Sequence, residues 1–598
     1  MALVLSGVII FSVLRNMNDM DSAARTLRVA PPEPPADLHD FVGSTRCATC
    51  HEDIAQTYQR HPMARSAGPV LNLPATDPSN VASESFDAGR LRYQVDRRGD
   101  DLVHHAKFVD AQGETICDHA VDVRYAIGSG VRGQSYLIDR GGILFQSPIS
   151  FYTKEHRWDL SPGYPADQRM RFERRVGDTC LFCHAGRVAS SGRDNNYGKT
   201  PFLEASIGCE RCHGPGRQHV ELYESVDASL SGETLIVNPV RLEPGLRDSV
   251  CFQCHLSANR VLRYGRQHHD FRPGQAMEDV WTVFVKDAGT TRNDEDHAVS
   301  HVQQMRSSKC YLGSERRLTC VSCHDPHQVP LPERKPEFYR NRCLKCHNQR
   351  GCRIPLSERL RPPAMNSCIH CHMPHRDAAD VAHTTQTDHR IPRSPLQPGR
   401  RAGGKERQSL TFFDGANKRL PEWEAARARG LAILREFYND RDRDLLDEAE
   451  RLLSQSLESV SEDTSVLSSL GQIHYLRKND QQARAYLETA NKLLPDDEET
   501  LELLAIICSR TGDYDSGLNY LGRFIKLNPW RAEVHARRSH MQAVFGDLDG
   551  AIDSAERGLN LDPSLTPLRA ELVDLYKKAG RNADSRRHSR LLDRIEEP

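Results

Sequence analysis

Seven times the chain repeats one five-residue pattern, two cysteines three positions apart with a histidine directly after the second. The strings are Cys47, Cys50 and His51; Cys180, Cys183 and His184; Cys209, Cys212 and His213; Cys251, Cys254 and His255; Cys320, Cys323 and His324; Cys343, Cys346 and His347; and Cys368, Cys371 and His372. They take 14 of the 18 cysteines, and beyond His372 the only cysteine is Cys508. Two residues three apart on a helical turn project to one side, and the histidine after them lies under whatever the two thiols hold. The front part of this chain must fold around seven such grips, and the back part must not.

This pattern is the attachment signature of c-type heme. The two thiols bond the vinyl groups of the porphyrin and the histidine donates its imidazole nitrogen to iron. Paired Cys-x-x-Cys units also build zinc sites, but zinc does not require histidine next to the second cysteine. Disulfides do not explain the histidine either. Chance would give roughly 0.02 such strings in a chain of this composition. Each iron needs a sixth ligand or keeps an open face, and His61, His219, His269, His301, His327, His375 and His389 stand as distal candidates. His327 and His375 follow a heme-string histidine by only three residues, so a neighbouring heme is their more natural target. Cys117, Cys310 and Cys352 are left over. They read as structural thiols, with Cys310 a candidate for a heme pocket. His474, His535, His540 and His588 fall in the C-terminal part, away from the strings.

At 598 residues the chain exceeds one core and suggests three or four domains. Only 38% of residues are hydrophobic, which fits a domain cored by cofactors and equally fits loops or disorder. The 80 basic and 82 acidic residues nearly cancel, so bulk charge does not point to nucleic acid. An apolar run over residues 2–14 has the length of a signal-peptide core, without preceding positive charge or a clean cleavage site. We read residues 1–40 as a signal or N-terminal membrane anchor with a Pro-rich linker, the alternative being a buried N-terminal segment. Between the first and second strings, Leu91, Tyr93 and Val95 alternate with polar residues, as do Val121, Val123, Tyr125 and Ile127. Gly141-Gly142 separates two short apolar runs. Period-two patterning with a glycine turn predicts a small antiparallel β insert over about residues 87–155. Residues 41–395 form the seven-heme domain on this reading, and a basic, Pro/Gly-rich linker covers 396–425.

From residue 426 to 598 the sequence repeats. Pro495, Pro529 and Pro563 are spaced 34 apart, as are Gly512, Gly546 and Gly580. Ala449, Ala483, Gly517 and Ala551 hold one register, with Ser585 at the next step. This period resembles the tetratricopeptide repeat, whose helix pairs bury their apolar faces only by stacking. About four units from residue 430 plus a terminal helix are expected. The fold class is therefore mainly α: a heme-cored cytochrome domain with a small antiparallel β insert, then an α-solenoid of helix pairs.

The segments Gly208-Cys209-Glu-Arg-Cys212-His213-Gly-Pro-Gly, Leu318-Thr-Cys320-Val-Ser-Cys323-His324-Asp-Pro-His327 and Cys368-Ile-His-Cys371-His372-Met-Pro carry a further likeness. They resemble a multiheme cytochrome superfamily that includes the tetraheme electron acceptor of hydroxylamine oxidoreductase, pentaheme nitrite reductase and octaheme tetrathionate reductase. The resemblance implies closely packed, mostly bis-histidine hemes in an exported protein, placed in the periplasm or anchored on the outer face of the inner membrane. There is no Cys-x-x-Cys-Lys string, so the lysine-ligated catalytic heme of nitrite reductase is missing. The count of seven matches none of the three, and no substrate carries over.

Two functions follow as expectations. The first is electron transfer through seven covalent hemes, with the repeats docking a redox partner protein. The second is an oxidoreductase acting on a small nitrogen or sulfur compound at one heme with an open face. Tyr264, His268, His269, Arg306 and Tyr311 are the pocket candidates for that case. A chain that is chiefly a scaffold ranks third.

Overall fold

The computed structural model describes residues 38–70, 84–98, 101–110, 112–164, 172–189, 192–193, 195–225, 235–286, 300–348, 351–377, 385–393 and 409–596. The expected signal segment, the Pro-rich linker and residues 396–408 of the later linker lie outside them, as do most of residues 1–40. Two compact units divide the chain: residues 417–495, and residues 35–416 together with 496–598.

The β insert is built from two antiparallel sheets. Strands Glu84–Ala88, Leu91–Arg98, Asp101–Val109 and Thr115–Val123 form a four-stranded meander. The second sheet runs Ala67–Pro69, Tyr125–Ile127, Gly133–Arg140, Ile143–Tyr152 and Arg174–Arg175, with Arg157–Leu160 also paired to Ile143–Tyr152. Alternation sends Leu91, Tyr93 and Val95 inward, at 0%, 3% and 0% exposure, against Tyr136, Phe145, Ile149 and Trp158. The alternation does not run straight through residues 121–127. The chain leaves one sheet at Val123 and enters the other at Tyr125, and the buried position shifts to Ala126. Gly141 and Gly142 close the predicted hairpin with φ of 70° and 92°, the left-handed pair that a two-residue turn needs. Gly142 is also fixed by contact, because an added Cβ would stand 2.2 Å from the Gly198 carbonyl oxygen.

The string-bearing region is made of short helices. The second to seventh strings end the helices Asp178–His184, Glu210–His213, Pro244–His255, Cys320–Cys323, Lys335–His347 and Cys368–His372, or lie across their ends. The first spans Ser44–Ala48 and the turn before Glu52–Tyr58. An apolar cluster of Phe182, Phe252, Phe271, Trp281 and Val302 supports the second and fourth strings. By contrast, Cys320–Cys323, Lys335–His347 and Cys368–His372 bury none of their own residues. A 13-residue helix with no buried side chain has no core of its own making. Residues 410–412, within the expected linker, form a strand on the edge of Trp281–Lys286, with Leu410 buried and Phe412 stacked on Phe284 at 4.5 Å.

Helix pairs follow, starting at Glu422 and so slightly earlier than the sequence period suggests. In the unit of residues 417–495 they are Glu422–Asp440 with Asp444–Leu457, and Thr464–Leu476 with Asp480–Leu493. Gly430 and Gly471 permit the close approach, since an added Cβ would meet Leu453 at 2.7 Å and Leu487 at 2.5 Å. Arg427 is buried between Asp463 and Glu424, and Asp463 also caps the helix Thr464–Leu476. The other unit holds Glu498–Thr511 with Tyr514–Leu527, Ala532–Phe545 with Leu548–Leu561, and Thr566–Lys578 with Asn582–Glu596. The described residues thus hold five pairs. The repeated glycines 512, 546 and 580 all sit at positive φ where the first helix of a pair ends. Ala449, Ala483 and Ala551 are fully buried at the pair seam.

Within its unit, the last set of pairs packs on the β insert. The Ala532 amide at the start of its helix donates to Glu173 at 3.3 Å. Arg531 lies between Glu173 (3.8 Å) and Glu502 (3.4 Å), and Arg175 faces Glu498 at 3.8 Å. Arg140 stacks over the Trp530 ring at 4.8 Å. At the far end Arg594 pairs with Asp110, Arg90 donates to the Ile595 carbonyl, and Ile595 joins the β core at 4% exposure.

Candidate functional site

Each string is positioned by the helix it ends. In the third, the Cys209 amide donates to the Ser44 hydroxyl oxygen (3.0 Å), and Glu210 accepts from the amides of Val42, Gly43 and Gly216. The carboxylate of a Cys-x-x-Cys interior residue thus pins the start of the first string to the third. Tyr58 donates to the Ile207 carbonyl at 2.8 Å and closes the same junction.

The string histidines meet other histidines across long stretches of chain. His51 and His219 lie with ring centres 6.4 Å apart and planes 16° from parallel. His213 and His327 stand at 6.0 Å and 11°, and His324 and His389 at 6.3 Å and 28°. Two imidazoles on opposite sides of one metal need centres about 6 Å apart, from bonds of about 2 Å and a further ~1 Å to each ring centre. The three pairs have that spacing.

Protonation also suits ligation. The Nδ1 of His213 donates to the Val237 carbonyl, that of His372 to Pro392 and that of His389 to Thr387, each at 2.8 Å. A ring nitrogen fixed as donor leaves Nε2 with its lone pair toward a metal. Burial lowers the pKa of His184, His213, His255 and His389, and pushes His324 down to about 4. These imidazoles are neutral at pH 7, as a metal ligand must be.

The remaining distal candidates are spread differently. His301 lies against His389 at 4.5 Å; its Nε2 is buried without a partner, and burial lowers its pKa to about 4. His269 packs edge-on against Phe182 at 5.5 Å, its Nε2 without a hydrogen bond but 3.9 Å from the Asp178 carboxylate, and burial lowers its pKa to about 3. His61 sits on Tyr58, and its Nδ1 accepts from the Met63 amide at 3.1 Å, which puts the proton of the neutral ring on Nε2. His375 is exposed on the strand His375–Asp377. The pocket candidates do not gather at one point. Arg306 packs over Phe252 and Phe413 and pairs with Asp414, with Tyr311 6.0 Å away. His268 accepts from the Trp281 indole at 3.3 Å, and Tyr264 lies on the turn after Asn259–Leu262.

One residue was missed by sequence reasoning. Arg211, inside the third string, donates to the Phe182 carbonyl at 2.8 Å and to Gln253 Oε1 at 3.2 Å. Its guanidinium lies over the Phe182 ring at 4.4 Å. The interior residues of a Cys-x-x-Cys-His string carry no signal of their own in one sequence. Among the described residues no three or more His, Cys, Asp or Glu gather as a site for a bare metal ion.

No family model matches the chain. Over 193 residues it is 26% identical to multiheme cytochrome MtrA of Shewanella baltica, covering 29% of this chain and 53% of that protein. Over 63 residues it is 36% identical to tetratricopeptide repeat protein 36 of Bos taurus, covering 10% of this chain and 34% of that one. The chain therefore spans about half of the first relative and a third of the second. A solved structure of MamA aligns over 29% of this chain and 90% of its own at 20% identity and a TM-score of 0.27. Another aligns over 26% and 92% at 18% identity and a TM-score of 0.26.

Proposed function

We propose that this protein is a c-type cytochrome that carries electrons through seven covalently bound hemes. The observation that carries the reading is the set of three histidine pairs at metal-bridging separation, each containing a string histidine. The partial likeness to a multiheme cytochrome and the helices that bury nothing of their own support it. Bound heme c supplies a one-electron iron couple.

The chain's own residues do the rest. The fourteen string cysteines would hold the cofactors, and His51, His184, His213, His255, His324, His347 and His372 would be their proximal ligands. His219 serves the first string, His327 the third and His389 the fifth. His301, His269 and His375 are the candidates for the other four, and His61 would join them only by giving up the Met63 amide at its Nδ1. The carbonyls of Val237, Pro392 and Thr387 fix the imidazoles of His213, His372 and His389 by accepting from Nδ1, which also raises ligand basicity.

The first helices of two pairs in residues 496–598 already hold the β insert. Docking of a redox partner is therefore sought on the helices of residues 422–493. Heme attachment of this kind assigns the protein to the periplasm or to the outer face of the inner membrane. No described helix is long and apolar enough to cross a membrane.

The test joins intact mass with electron paramagnetic resonance of the oxidised protein. Seven covalent hemes, all low-spin, are expected. A high-spin iron would instead favour the oxidoreductase on a small nitrogen or sulfur compound, and a mass without heme would end both readings.

A further inference from the structure

The strings touch one another in a definite order. The Cys47 thiol lies within hydrogen-bond reach of Cys209, Cys183 of Cys254, Cys251 of Cys320, and Cys343 of Cys368. Cys212 is near enough to Cys251 for their charges to interact, as is Cys323 to Cys346. In string numbers the contacts are first to third, third to fourth, second to fourth, fourth to fifth, fifth to sixth and sixth to seventh. Five of the six lie on one path. The second string hangs off it at the fourth.

Hydrogen bonds independent of the thiols mark the same point. Arg211 of the third string donates to Phe182 of the second and to Gln253 of the fourth. Gln253 returns a bond from Nε2 to the Arg211 carbonyl at 3.3 Å. The Cys183 thiol donates to the Gln253 carbonyl at 3.8 Å. Arg260 closes the junction by donating to the carbonyls of Gln253, Phe252 and Leu256. Asp248, on the same helix as the fourth string, accepts from the backbone of Cys320 in the fifth.

From these contacts we infer that the fourth string is the branch point of the cofactor array, bordered by the second, third and fifth, with the second as a one-member side arm. The inference rests on the electron-carrying reading and gives it a route. Arg211 is the positioning residue of the junction: it ties three strings together and sets one fixed positive charge beside them. An electron crossing from the first string to the seventh passes the fourth. Each hop moves one electron from a reduced site to an oxidised neighbour, with no bond made or broken.

The experiment is a map of iron positions in the full-length holoprotein by anomalous diffraction or cryo-electron microscopy, after intact mass has counted the hemes. The iron of the fourth string should border three others, and that of the second should lie nearest the fourth. An iron map that runs in line, or that sets the second beside the first, overturns the branch while leaving the electron-carrying reading intact. A mass without heme overturns both. Spectroelectrochemical titration of Arg211→Gln gives a second readout. Loss of the charge lowers the midpoints of the junction hemes, and Arg211→Lys keeps them near the native values. Unchanged midpoints in Arg211→Gln with full heme content would remove Arg211 from the junction.

Discussion

Glu173 makes the attachment of the C-terminal helices to the β insert sensitive to pH. Its side chain is 24% exposed, beneath the start of Ala532–Phe545 and facing Glu533 as well as Arg531. Burial first, and the Glu533 charge second, push its pKa from the ordinary 4.5 up to about 7. A carboxyl with a raised pKa in the folded state favours the docked form while it is protonated. That contribution is complete below pH 4.5 and is lost as pH rises through about 7. At about 1.4 kcal/mol per unit, the shift corresponds to up to roughly 3 kcal/mol between pH 5 and pH 8. Glu173→Gln removes the titration and keeps an oxygen for the Ala532 amide. Amide exchange in the helices Ala532–Phe545 and Asn582–Glu596 should show the variant better protected than the native protein at pH 8 and equal to it at pH 5. Equal protection at both pH values, or a native protein more protected at pH 8, would refute the argument.

His219→Ala should convert one heme to high spin in the resonance spectrum and leave the total heme mass unchanged. Retention of an all-low-spin spectrum would remove His219 from the first string. Asp463→Ala strips the buried Arg427 of a partner and the helix Thr464–Leu476 of its cap, so urea unfolding of residues 417–495 should weaken by about 3–5 kcal/mol. Lys478 holds a φ of 62° at the register where the later pairs have glycine, so Lys478→Gly should raise the melting point by the equivalent of about 1 kcal/mol.

Local patterns carried the legible part. The Gly141-Gly142 turn and the 34-residue period are written in residue type and spacing; the hairpin stands where its signal predicts, and the helix pairs start slightly earlier than theirs. The sheet exchange at Arg124 escaped because one alternating stretch serves two sheets, and only the shift of the buried position to Ala126 betrays it. Residue type and spacing marked His219, His327 and His389 as distal candidates and turned His327 away from its own string, but did not tell which string each one faces. His219 follows the third string and meets the first, and His389 follows the seventh and meets the fifth. Those meetings depend on chain return over distances that no short pattern encodes. Lys478 shows the reverse case: it stands 34 residues before Gly512 and takes the same positive φ, although its residue type carries no such signal.

The three histidine pairs have a mechanical meaning. His51 closes a loop onto His219, His213 onto His327, and His324 onto His389. Each loop begins just before the previous one ends, so under the proposed ligation they join like links of a chain. Tension applied between residues 51 and 389 would pass from one iron–imidazole bond to the next, with only short backbone spans between. Stretched by its ends, such a polypeptide yields link by link, and its resistance to force is set by coordination bonds, which a reductant or a competing ligand can loosen without touching the peptide backbone.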